Sequence, residues 1–274
     1  MNFDRPPDTL EQAISQSAFY ARTAIEWYQP KAIVTMVSGG HDSAACHALA
    51  LELGLPITLT IHGRTGCGLQ GATDYVTANY GTDAPLAVAD AGDAYQDYVL
   101  RKGFFGKGID AHSFAYRILK AQPFRKVISS ELRRGKRNTP VLLLNGAFKA
   151  ESTNRKTHLR RARQDPAAPM NIWFNLMHDW SAEMRDEYLR TRNVPLSPVA
   201  QALCRSGECM CGTMQTAAER LEAAAYDPGW GKRLDDLEAE AFSLHGFGWG
   251  QSAPRKNPKQ PDLFMPMCVG CSKS

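Results

Sequence analysis

Short apolar runs alternate with longer amphipathic stretches along the first 200 positions. Ala32-Ile33-Val34-Thr35-Met36 lies between Pro30 and a glycine pair and predicts a buried strand. Ile57–Ile61, Leu86–Ala89, Val141–Asn145 and Asn171–Phe174 have the same character. Between them the period changes to that of a helix. Over residues 8–29, Leu10, Ile14, Ala18, Ala21, Ile25 and Tyr28 fall on one face, Asp8 and Glu11 have capping-box spacing, and Pro30 ends the run. Further helices are expected from Ala44 to Leu51, near 111–121 and 124–135, over 182–192 behind Asp179-Trp180-Ser181, and near 214–226. Strands alternating with helices predict an α/β fold, a doubly wound and mostly parallel five-stranded sheet. Pro195 and Pro198 mark its end. The expected division is a nucleotide-binding α/β domain over 1–200 and a cysteine-bearing, α/irregular extension over 201–274.

Composition adds a compartment. The chain has 274 residues and 43% apolar content, enough for one α/β domain with an appendage. The net charge of +4 is too small to indicate a partner. No run approaches the roughly 18 apolar residues of a membrane helix, and the start does not read as a signal peptide, so the expectation is a cytoplasmic protein with no membrane association. In that compartment seven cysteines point to metal ligands or redox thiols rather than structural disulfides.

Ligands of such sheets bind beyond the carboxyl ends of the strands. At the end of the first strand the sequence reads Val37-Ser38-Gly39-Gly40-His41-Asp42-Ser43 and runs into a helix. A glycine turn there aims backbone N–H groups and a helix N-terminus at one spot, which suits a phosphate. Ser38 and Ser43 add hydroxyls, and Asp42 is placed to orient the loop or to help hold Mg²⁺. No lysine follows the glycines, so this is not a Walker loop.

The stretch resembles the Ser-Gly-Gly-x-Asp-Ser pyrophosphate loop of the adenine-nucleotide α-hydrolase superfamily, with His41 at the variable position. Together with His62-Gly63-Arg64-Thr65-Gly66, Lys120 to Pro123, Asn145-Gly146 with Glu151-Ser152 and Arg155, and Asp179-Trp180-Ser181, it is similar to the phosphoadenosine phosphosulfate reductase family over about residues 30–200. The resemblance implies that ATP or a sulfonucleotide is bound by Ser38 to Ser43, His62, Gly63, Arg64, Gly146 and Glu151. It also implies that Asp42, Lys120 and Arg155 carry the catalytic phosphate chemistry. Two departures stand out. The sequence ends Met267-Cys268-Val269-Gly270-Cys271-Ser272-Lys273-Ser274, without the reductases' Glu-Cys-Gly-x-His, and Ala115-Tyr116 stands where iron–sulfur reductases have adjacent cysteines.

Cys204, Cys209, Cys211, Cys268 and Cys271 form two tight groups with no histidine inside either. An all-thiolate centre is expected, a [4Fe–4S] cluster or alternatively Zn²⁺, and sulfur-transfer relatives of the fold place iron–sulfur first. Cys46 is expected in the core, and Cys67, between two glycines, is not counted among the expected site residues. Basic residues gather at Arg125-Lys126, Arg133-Arg134 and Lys136-Arg137, and again at Arg155-Lys156, Arg160-Arg161 and Arg163. They read as solvated helix surface, with nucleic-acid backbone contact as the alternative. Three functions follow. One is ATP-dependent adenylation of an acceptor, pyrophosphate release and sulfur insertion. Its partners would be a sulfur-donor protein, a nucleic-acid or small-molecule acceptor and, in an oligomer, a second copy. The second is sulfite release from a phosphosulfate, and the third a nucleotide-binding module without turnover.

Overall fold

The computed structural model of the protein describes residues 5–134 and 138–254. Six strands form one sheet: β1 (Ala32–Val37), β2 (Ile57–Arg64), β3 (Leu86–Asp90), β4 (Val141–Asn145), β5 (Ala162–Asp165) and β6 (Ala168–Asn175). Their spatial order is β3-β2-β1-β4-β6-β5, parallel except for β5, which pairs antiparallel with β6. The chain builds outward from β1 to β2 and β3, then returns to place β4 on the other side of β1. The connections from β1 and β4 therefore depart in opposite directions, and a crevice opens at their carboxyl ends.

Eleven α-helices are described: α1 (Leu10–Tyr28), α2 (His41–Glu52), α3 (Gln70–Asn79), α4 (Ala94–Lys102), α5 (Ile109–Tyr116), α6 (Gln122–Val127), α7 (Thr153–His158), α8 (Ala182–Thr191), α9 (Pro198–Leu203), α10 (Ala217–Tyr226) and α11 (Pro228–His245). The central strands read as unbroken apolar runs because both faces are covered. Ile33, Leu142 and Leu144 point into a cluster with α1, α2 and α8. Val34, Val141 and Leu143, one residue out of step, point to the other face against Phe124 and Ile128. α5 and α6 belong to one helical run whose π-turns, Arg117–Ala121 and Ile128–Arg133, follow each of them. No helix among the described residues is long and apolar enough to cross a membrane.

The sheet has a sixth strand where five were expected. β5 is Ala-Arg-Gln-Asp, a polar edge with no alternating apolar positions to reveal it. Asp165 at its end accepts two hydrogen bonds from Arg125, at 2.9 and 2.7 Å, and fixes it to α6. The α1 cap also differs. Thr9, not Asp8, accepts from the Gln12 N–H, and the Gln12 side chain accepts in return from the Asp8 N–H.

The largest difference lies after residue 226, where the sequence reads as an irregular Gly/Pro/Trp-rich tail. There α11 runs for 18 residues. Asp227 caps it by accepting from the Trp230 N–H at 2.8 Å, and Pro228 occupies the first turn, where its missing N–H costs nothing. Gly231 is needed because a Cβ there would lie 2.8 Å from Ala224 Cβ of α10. Trp230, Leu234 and Ala241 join Tyr95, Val99, Phe104, Leu119 and Val199 in one apolar cluster. The residues after 200 thus share a core with residues 67–119. The glycine-flanked Phe104-Phe105 segment belongs to the same core. Phe105 stacks on Tyr98 with ring centroids 4.2 Å apart, so this segment is a packed connection.

Leu144 is fully buried in the central strand β4. Leu144→Ala is expected to cost about 2–5 kcal/mol, read as a lowered urea midpoint with unchanged slope. A loss below about 1 kcal/mol would contradict the packing described.

Candidate functional site

The turn after β1 is held by its own serines. Ser43 Oγ accepts from the Ser38 N–H at 3.0 Å, donates to the Gly40 carbonyl at 3.0 Å, and lies 3.0 Å from Ser38 Oγ. Gly39 takes φ +75°, a conformation that disfavours any side chain. Gly40 is the N-cap of α2 and supplies no side-chain acceptor, so the first N–H groups of that 12-residue helix face outward from the turn. Gly146, after β4, lies against the Asp42 carbonyl so closely that a Cβ would overlap it. The two strand ends therefore meet backbone to backbone on either side of the crevice.

A cavity of about 420 Å³ fills that crevice. Ser38, Asp42 and Ser43 line one side, Asn145, Gly146 and Arg155 the β4 side, and Lys120, Cys209 and Cys211 the far side. The far side exists because the segment after α9 folds back over the sheet. A Cβ on Gly40 would sit 2.8 Å from Ser206 Cβ, so Ser206 rests on the turn. A larger cavity, about 540 Å³, lies beyond Glu208 and contains Arg64, Cys67, Trp230 and Arg233, but none of the turn residues. Only the smaller one contains the turn and the helix N-terminus, the features that suit a phosphate.

The cations near the turn all carry carboxylate partners. Lys120 Nζ donates to Glu208 Oε2 at 2.9 Å, with the carboxylate almost fully buried. Burial alone would lower the Lys120 pKa, but the facing Glu208 charge outweighs it and raises it. Lys120 lies on a π-turn, a distortion that often marks a functional position. Arg155 pairs with Glu151 one turn earlier. Arg185, from the first turn of α8, donates to Asp42 Oδ1 at 2.6 Å and also pairs with Asp186. Burial raises the Glu151 pKa, with the nearby Asp42 charge adding to it and Arg155 opposing. Asp42 lines the cavity, and Glu151, which does not, is near enough to feel its charge.

Several expected ligand residues sit elsewhere. His62 is fully buried. Its Nδ1 lies 2.9 Å from the Val37 carbonyl, which can only accept, so Nδ1 carries the proton. Its Nε2 lies 2.9 Å from the Thr73 hydroxyl. The ring ties β1 to α3. Gly63 gives space to the Glu208 carboxylate and Phe124. Arg64 is half exposed and pairs with Asp90. His41 is the first residue of α2 and does not line the cavity.

Of the expected cysteine group, Cys209 and Cys211 face the cavity, while Cys204 caps α9 and is exposed. Cys268 and Cys271 lie outside the described residues. The thiol that joins Cys209 is Cys67, with the two Sγ atoms 3.9 Å apart. The Cys211 contact lowers the Cys209 pKa, but Cys67 and burial outweigh it and push it up to about 12. Among the described residues no group of three or more His, Cys, Asp and Glu side chains is arranged to hold a metal ion. Cys46 is a core thiol, pushed up to about 12 by burial and by Asp42.

The basic stretches are largely spent within the fold. Arg125 binds Asp165, Arg133 donates to Asn171 and the Thr139 carbonyl, and Arg163 lies over the Trp173 ring. Arg161 pairs with Asp179. Burial alone would raise the Asp179 pKa, but the His178 hydrogen bond and Arg161 hold it well below the usual carboxylate range. Lys136 and Arg137 lie outside the described residues.

A family model for the phosphoadenosine phosphosulfate reductase domain matches residues 32–214. No curated protein matches the sequence significantly. Among solved structures, FMN adenylyltransferase of Candida glabrata in complex with ATP is similar over 71% of this chain and 61% of its own, at 12% identity and TM-score 0.50. Phosphoadenylyl-sulfate reductase of Candida auris, as a phosphate complex, is similar over 68% of this chain and 83% of its own, at 13% identity and TM-score 0.46. The NH3-dependent NAD synthetase of Campylobacter jejuni is similar over 86% and 96%, at 13% identity and TM-score 0.46. At such identities the likeness is one of fold.

Glu208→Gln keeps the side chain's shape and removes its charge. It is expected to lower stability by about 3–5 kcal/mol in urea denaturation, because Lys120 loses its buried partner. A loss below about 1 kcal/mol would show that the pair does not hold the far wall in place.

Proposed function

The chain belongs to the phosphoadenosine phosphosulfate reductase domain family, and from that premise we propose that it is an adenine-nucleotide enzyme of sulfur chemistry, one that adenylates an acceptor with ATP, releases pyrophosphate and directs sulfur to the activated atom. The observation that carries this reading is the make-up of the smaller cavity. A glycine turn at a helix N-terminus, the Asp42 and Glu208 carboxylates and the Cys209 and Cys211 thiols line one space, and Arg155 reaches it from its pair with Glu151.

The charge balance favours ATP. Lys120, Arg155 and Arg185 are each matched by Glu208, Glu151 and Asp42. Such a site has little net positive charge to offer a polyphosphate. Asp42 and Glu151 are the residues that would hold Mg²⁺, which would supply the missing neutralisation at the pyrophosphate. The turn's N–H groups and the α2 N-terminus then receive the departing pyrophosphate, while Lys120 and Arg155 restrain it from opposite walls. Cys209 and Cys211, across from the turn, stand where a sulfur carrier is needed.

A second reading, sulfite release from a phosphosulfate, is favoured by one observation: Cys67 and Cys209 are close enough to supply the two electrons as a dithiol. An iron–sulfur or zinc centre would need ligands beyond the described residues, so neither reading draws a step from it. Non-catalytic binding is the less economical reading, since thiols would then line a nucleotide site for no purpose.

Two assays on anaerobically purified protein separate the readings. ATP binding measured by calorimetry is expected to depend on Mg²⁺, and incubation with phosphoadenosine phosphosulfate is expected to release no sulfite. Metal-independent nucleotide binding together with sulfite release would contradict the proposal. Asp42→Asn is expected to weaken Mg·ATP binding about tenfold or more, with an unchanged circular dichroism spectrum. Unaltered affinity would remove Asp42 from the site.

A further inference from the structure

Cys67 and Cys209 approach each other from segments 142 residues apart in sequence, and the backbone around both is fixed. Thr65 Oγ1 donates to the Glu208 carbonyl at 2.6 Å. The Leu69 N–H donates to the Gly207 carbonyl at 2.8 Å. Trp230 Nε1 donates to the Cys67 carbonyl at 3.0 Å. Gly68 is pressed against the Glu208 carbonyl, where any Cβ would overlap it. Two loops clasped in this way hold their thiols 3.9 Å apart, as neighbours that a disulfide would join.

The two sulfurs open onto different spaces. Cys209 lines the cavity at the phosphate turn, and Cys67 lines the larger cavity beyond Glu208. That larger space, about 540 Å³, carries Arg64 and Arg233 with Asp236 and Glu240, beside the Trp230 ring. Cations and carboxylates together suit a small zwitterion, whose carboxylates meet the arginines and whose ammonium meets the acids.

We propose that Cys67 and Cys209 form a redox-active dithiol, and that the larger cavity binds a small zwitterionic thiol, or its disulfide, that exchanges with Cys67. In the oxidising direction the Cys67 thiolate attacks one sulfur of the small disulfide and the other leaves as a thiol. Cys209 gives up its proton and attacks Cys67 Sγ of the mixed disulfide, expelling the second small thiol. Two electrons pass from the protein to the small disulfide, and a Cys67–Cys209 bond closes. Two small thiols reverse the sequence and return a free Cys209 to the nucleotide cavity. The exchange site goes beyond the nucleotide reaction and does not depend on which nucleotide is bound.

The test equilibrates the full-length, anaerobic protein in buffers of reduced and oxidised glutathione, quenches with acid, alkylates, and maps the peptides by mass spectrometry. The expected result is a Cys67–Cys209 linked peptide that appears with oxidised glutathione and disappears with reduced glutathione. Arg233→Ala, at an exposed position, is expected to slow the exchange with glutathione about tenfold and leave exchange with uncharged hydroxyethyl disulfide unchanged. A bridge from Cys209 to Cys211, Cys268 or Cys271 instead, or glutathione mixed disulfides that never resolve, would overturn the dithiol. Equal slowing toward both disulfides, or slowing toward neither, would overturn the zwitterion site. Mg·ATP binding measured on the same reduced preparation keeps the two readings apart: its absence beside an intact Cys67–Cys209 exchange counts against the nucleotide proposal alone.

Discussion

The backbone clasp between the turn after β2 and the segment after α9 is the contact on which the site depends. Gly68 admits the Glu208 carbonyl, Thr65 and Leu69 donate to that segment, and Glu208 reaches through to Lys120. A buried carboxylate facing a half-buried ammonium is a poor way to gain stability, because desolvation consumes most of the attraction. It is an effective way to fix register, since neither partner tolerates being left alone. The pair holds a segment of the C-terminal part of the chain to the sheet, and that segment forms the far wall of the nucleotide cavity. Without the clasp, Ser38 to Ser43 would be an open phosphate turn, with neither Cys209 nor Cys211 across from it.

The same contact explains the distribution of charge. A site built only to attract polyanions would keep its cations free. Here Lys120, Arg155 and Arg185 are restrained by carboxylates, which orients them and limits the net field. Orientation without excess charge suits an enzyme whose metal arrives with its nucleotide. Asp42 and Glu151, the Mg²⁺ ligands of our proposal, are the partners of Arg185 and Arg155.

The parallel sheet and the phosphate turn were legible in the sequence because their signals are local. A continuous apolar run, a glycine turn and a helix start fall within 20 residues, and so β1 and α2 sit where the pattern placed them. β5 was not legible, because its stability comes from pairing with β6 and from Arg125 rather than from its own residues. α11 was hidden by Pro228, Gly229 and Gly231. These residues argue against a helix until Asp227 is seen to cap it and Ala224 is seen to require a glycine. Asp42, Lys120 and Arg155 were expected at the nucleotide, and Cys209 and Cys211 as ligands of an all-thiolate centre; the structure brings all five to one cavity. Arg185, Glu208 and the pairing of Cys67 with Cys209 were not expected, since each meets its partner across 88 to 143 positions. Gly63 was expected at the ligand only through the family resemblance, and its space is taken by Glu208 and Phe124.

The central claim is that the segment after α9 closes the nucleotide cavity and brings thiols to it. An ATP analogue carrying a chloroacetyl group on its γ-phosphate tests this most directly, applied with Mg²⁺ to the reduced protein and read by peptide mass spectrometry. Labelling of Cys209 or Cys211, blocked by unmodified ATP, is the expected result. Labelling confined to exposed Cys204, or labelling that ATP does not block, would contradict it.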